Sequence, residues 1–175
     1  MARSTFAGPV RSLRGFISAG PDAVVNITAD TTLTFASHAG KLIEINDADC
    51  KVTLPSILTG STSAYAGSDD YNVLNTYGAS YRFYIGTVAT DLDILTDGTD
   101  KFVGHVAVGI DDSTYKIFVP AASNDVMTYN GTTKGGIVGS YVVCTALASA
   151  EYLVQGVLIG SGTIATPFAD AYIFC

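Results

Sequence analysis

Four groups of residues have types and spacings that could support chemistry. Gly160-Ser161-Gly162-Thr163-Ile164-Ala165 follows an apolar run and matches the G-x-G-x-x-A pattern of a dinucleotide-binding turn. That chemistry needs a helix after the glycines, a second parallel strand and an acid about twenty residues on. Pro167 and the short remainder to Cys175 leave no room for these, so the segment reads as a glycine turn closing a strand. Asp91, Asp93, Asp97 and Asp100 bring carboxylates together in one stretch, and Asn46, Asp47 and Asp49 do so in another. Calcium sites use such oxygens, but the D-x-[DN]-x-[DN]-G order with a later Glu is absent, and both stretches read as surface turns. There are two histidines, His38 and His105, and His105 sits in an apolar run as a packed core or interface residue. No serine lies in G-x-S-x-G, and no Cys-His pairing follows from the spacing. These groups point to no catalytic residue, no cofactor and no metal. The chain is expected not to be an enzyme.

The elements around these residues are short and β-rich. Ile137–Leu147 and Tyr152–Ile159 flank the break Ala148–Glu151 and read as a β-hairpin. The second run is apolar on both faces apart from Gln155, which predicts a central strand covered on both sides. Upstream, Val24–Thr28, Thr32–Phe35, Leu42–Ile45 and Lys51–Leu54 read as strands, with Ile43 and Ile45 on the core face of the third. Tyr81–Val88 and Leu92–Leu95 follow. Lys101–Ile110 and Tyr115–Val119 form a hairpin, and Asp125–Tyr129 leads into the turn signal Asn130-Gly131. Thr145–Tyr152 is the one stretch where a short helix fits. Turn signals every ~8–12 residues predict an all-β fold, a single β-sandwich or barrel-like domain with an extended N-terminal arm.

The chain has 175 residues and a net charge of −7, and it is poor in charged residues. Arg3, Arg11 and Arg14 precede the first acid, Asp22, so the remainder is strongly acidic. An acidic body repels phosphate, which argues against nucleic acid as a partner. Few charges among many apolar residues suggest a surface partly covered by other subunits. Cys50, Cys144 and Cys175 form no C-x-x-C; the first two read as small buried apolar residues, a usage that fits a reducing cytoplasm. Met1–Gly20 lacks the apolar core of a signal peptide, and no apolar run reaches the ~18 residues of a membrane span.

Residues 1–21 read as an extended arm, since Gly8-Pro9 and Gly20-Pro21 oppose a helix. Its apolar anchors are Phe6, Val10, Leu13 and Phe16. Residues 22–175 form the β-rich body. Within it, 60–80 is a long polar excursion that carries Tyr65, Tyr71 and Tyr77, an aromatic content at odds with bare disorder. These tyrosines are candidate subunit contacts.

The opening Ala-Arg-Ser-Thr-Phe-Ala-Gly-Pro-Val-Arg-Ser-Leu-Arg-Gly-Phe, residues 2–16, resembles that of small tailed-phage virion proteins. Thr32-Leu33-Thr34, Thr53-Leu54-Pro55, Gly78 with Tyr81-Arg82-Phe83, and Thr166-Pro167-Phe168 are similar to segments of phage capsid-decoration and tail-associated proteins. The resemblance covers most of the chain through short motifs. It implies a capsid decoration (head cement) protein that binds the outer surface of the assembled head and stabilises it, often as a trimer. Its partners would be the major capsid protein and copies of itself. It would be made in the host cytoplasm and reside on the virion. On that reading Arg3, Phe6, Val10, Arg11, Leu13, Arg14 and Phe16 dock the arm on the capsid. The alternative is a tail-fibre or spike tip that binds a receptor.

Overall fold

The computed structural model describes residues 19–58, 76–111, 113–148 and 150–171. The expected all-β class holds: two mixed sheets, of seven and five strands, share one core in a sandwich-like arrangement.

The first six strands alternate between the sheets. β1 (Val24–Ile27), β3 (Leu42–Ile45) and β5 (Ser80–Ile85) lie side by side and parallel in the larger sheet. β2 (Thr31–Thr32), β4 (Lys51–Thr53) and β6 (Leu92–Leu95) do the same in the smaller one. The chain therefore winds through three stacked turns of a coil, each turn contributing one strand to each sheet. Such stacking lets every turn bury its apolar face against the next. Ile27, Ile45 and Ile85 stand in register on the core side, opposite a layer that includes Val52, Leu54, Leu92 and Ile94. Where the coil leaves the larger sheet, the Asn46 side-chain Nδ2 donates to Asn26 Oδ1 at 2.8 Å. The next turn has Gly86 here, and a Cβ on it would lie 2.1 Å from Asn46 Oδ1.

The second half of the chain is mostly antiparallel. β7 (Lys101–Gly109) and β8 (Tyr115–Phe118) form the predicted hairpin, closed by Asp111 Oδ1 accepting the Ser113 and Thr114 amides. β10 (Tyr141–Ala146) and β11 (Glu151–Ile159) form the second. β11 then pairs parallel with β7 over nine residues, which makes it a central strand. β9 (Val126–Tyr129) and β12 (Phe168–Ala169) complete the smaller sheet. The orders are β1-β3-β5-β10-β11-β7-β8 and β12-β9-β6-β4-β2. Tyr81 and Tyr152 meet edge to face in the core with ring centroids 6.2 Å apart.

Several expectations are corrected. The strand expected at Thr32–Phe35 ends at Thr32, and α1 (Phe35–His38) is one helical turn. There His38 Nδ1 takes the Thr34 amide at 2.9 Å, satisfying a donor that a helix start leaves free. The described residues of Thr145–Tyr152 hold no helix, because strand pairing between β10 and β11 claims the backbone at both ends of the stretch. Asn130-Gly131 is a turn but not a hairpin turn. Asn130 Oδ1 accepts the Thr132 and Lys134 amides, while β9 pairs with β6 and β12. Gly160–Ala165 is irregular, as expected for a turn that closes β11.

Candidate docking surface

The polar clusters that could have made a reaction centre serve the backbone instead. Asp47 Oδ1 accepts the Asp49 amide at 3.1 Å. Asp97 accepts the Thr99 and Asp100 amides and the Thr99 hydroxyl. Burial opposes ionisation of Asp97, but hydrogen bonds from Ser56, Asp100 and Thr99 outweigh it and hold the carboxyl down at about 2. Asp100 is buried and accepts the Ile57 amide at 2.9 Å. Among the described residues no group of three or more His, Cys, Asp or Glu is placed to hold a metal ion. Cys50 and Cys144 are free and buried, as expected. Burial pushes both thiols up, Cys50 to about 11, so neither is a thiolate at neutral pH. An open groove of about 500 Å³ runs between the β7–β8 turn and Ser161–Ile164, and Lys116 is the one charged side chain among its described lining residues.

The prominent feature is the outer face of the seven-stranded sheet. Register places Asn26, Glu44, Tyr84, Tyr141, Val157, Ala107 and Ile117 in one row across all seven strands. A neighbouring row runs Val24, Leu42, Arg82, Val143, Gln155 and His105. The charges of these rows, Glu44 and Arg82, lie on β3 and β5. Across β10, β11, β7 and β8 the outward positions are apolar or uncharged, except Glu151 and Lys101, which stand in register at one end. Exposure there is high: Ile117 60%, Val157 59% and Tyr141 38%. On a chain of net charge −7 such a band combines exposed apolar area with little charge.

One sequence expectation is overturned on this face and one is narrowed. The expected cover on both sides of β11 is absent, since its outward side is open at Val157 and Gln155. Of the two readings of His105, core or interface residue, the core reading falls, since its position faces outward beside Gln155 and is exposed. The expected docking residues Arg3, Phe6, Val10, Arg11, Leu13, Arg14 and Phe16 lie outside the described residues, as do Tyr65 and Tyr71. Tyr77 is described, 39% exposed, at the foot of the 60–80 excursion. That foot is tied down. The Leu58 amide donates to Thr76 Oγ1, the Thr76 amide to Leu58 O, and the Gly78 amide to Ala146 O. Of the outer band the sequence reading names His105 and Gln155. The available signal was the pair of facing apolar sets in β11.

No helix among the described residues is long and apolar enough to cross a membrane. Comparison of the chain with protein families, with curated proteins and with solved structures finds no match in any of the three.

Proposed function

We propose that this protein is a docking module of a phage virion, a decoration protein that coats the outer surface of the assembled head. The observation that carries the reading is the exposed, uncharged band on β10, β11, β7 and β8, a surface suited to being covered by protein. The resemblance of residues 2–16 and of the later short segments to virion proteins supplies the partner, the major capsid protein. The arm contributes Arg3, Arg11 and Arg14 with Phe6, Val10, Leu13 and Phe16. The body contributes the outer band.

The test uses heads assembled without the protein and counts bound copies against added protein. Val157→Lys changes a residue that is 59% exposed, so the fold tolerates it. Covering that unpaired lysine costs several kcal/mol, which lowers affinity by more than about 100-fold. Deleting residues 1–20 also abolishes saturation. Unchanged saturation by both variants refutes the reading. Binding of the wild type at the tail and not on the head favours the receptor-binding alternative.

A further inference from the structure

The outermost strand of the larger sheet, β8, has one edge paired with β7 and, among the described residues, no strand paired with the other. The Ile110 amide donates to Thr114 O at 3.0 Å, which marks Ile110 and Thr114 as a hydrogen-bonded pair. Alternation along an antiparallel ladder then turns the backbone groups of Lys116 and Phe118 toward β7. Those of Tyr115, Ile117 and Val119 point away, to the free edge. The same three residues carry the most exposed large apolar side chains among the described residues, at 65%, 60% and 71%. Pro120 follows at a position whose missing amide would have faced β7, so it removes no outward donor.

We infer that this edge pairs with the β8 edge of a second copy of the chain, antiparallel and centred on Ile117. The strand is self-complementary about that point. Ile117 meets the second copy's Ile117, and Tyr115 and Val119 meet each other twice, all on the outer face. Each of these pairs is of the hydrogen-bonded kind and exchanges two backbone hydrogen bonds. Lys116, the charge that guards the edge, stands opposite the second copy's Phe118 and not opposite its own equivalent. Charge selects the same direction. Antiparallel pairing sets the acidic Asp111 of one copy beside the neutral Ser123 of the other. Parallel pairing would set acid beside acid in a chain of net charge −7. The contact is isologous and closes at two copies. It rests on the edge itself, not on the head-docking reading, and it would join two outer bands into one continuous face.

The experiment is light scattering of the full chain at about 0.1 mM, with three variants at Ile117. Wild type is expected at twice the 18.2 kDa chain mass. Ile117→Pro removes an outward donor but no β7 hydrogen bond, and Ile117→Lys sets two cations opposite each other. Both are expected at single mass with an unchanged far-UV circular dichroism spectrum. Ile117→Cys in a C175S background is expected to form a disulfide dimer under mild oxidation, because Cα atoms of a hydrogen-bonded pair lie about 5.5 Å apart, within disulfide range. A wild-type chain at single mass, a mass of three chains, or a double mass that survives both Ile117→Pro and Ile117→Lys overturns the inference. So does an Ile117→Cys chain that stays uncrosslinked.

Discussion

Tyr152 and Tyr129 are both buried tyrosines, 1% and 0% exposed, and replacing each by phenylalanine should have very different effects. The Tyr152 hydroxyl crosses from β11 to the segment after β4 and donates to Pro55 O at 2.6 Å. Beside it Asp100 Oδ2 accepts the Ile57 amide, and Thr76 Oγ1 accepts the Leu58 amide, so these bonds together fix the feet of the 60–80 excursion. Among the described residues the Tyr129 hydroxyl has only Met127 Sδ, at 3.5 Å. Either substitution leaves the buried ring in place, so the cost is the hydrogen-bond balance alone. Tyr152→Phe loses a short bond and leaves the Pro55 carbonyl unpaired, about 1–3 kcal/mol. Tyr129→Phe gives up a weak thioether contact and removes a desolvated hydroxyl, within about 0.5 kcal/mol of wild type. For a chain of this size each kcal/mol moves Tm by about 2–4 °C. Urea denaturation followed by circular dichroism, with unchanged m values, measures both. Equal losses for the two variants would refute the reasoning, because burial and not the Pro55 bond would then set the cost.

Gly104, with φ +103°, sits where a Cβ would lie 2.4 Å from Val154 O. Gly104→Ala should therefore cost at least about 2–4 kcal/mol, whereas Gly162→Ala, with no neighbour nearer than 3.6 Å, should cost far less; the same denaturation assay reads both. Burial raises the Asp100 carboxyl above its ordinary 3.8, and the Ile57 amide only partly offsets this. The folded chain thus holds that proton to higher pH than the unfolded chain, a cost present at neutral pH and gone as pH falls below 3.8. Asp100→Asn should stabilise the protein at pH 7 and leave stability near pH 3 unchanged, while Asp97, held at about 2, keeps its contribution above 3.8 and loses it as pH falls toward 2.

What could be read from sequence was local. The alternation Leu42-Ile43-Glu44-Ile45 placed both isoleucines inward, and both are fully buried. The β7–β8 and β10–β11 hairpins were legible because strand, turn and partner lie within one short stretch. The carboxylates of Asp47 and Asp97 read as turn formers for the same reason. The coiled path of β1 to β6 was not legible. A parallel pair leaves no turn between its strands, and nothing in Leu42–Ile45 names Arg82–Ile85 as its partner across the intervening excursion. Nor could sequence decide what covers a face. Tyr152–Ile159 is apolar on both sides apart from Gln155, yet its inner set is buried and Val157 is open, and His105, which reads as core or interface, points out. Composition and spacing determined that the chain is β-rich, acidic and built of short strands. Only the tertiary structure decided which apolar face was left uncovered, because burial belongs to a residue's neighbours in space and not to the residue.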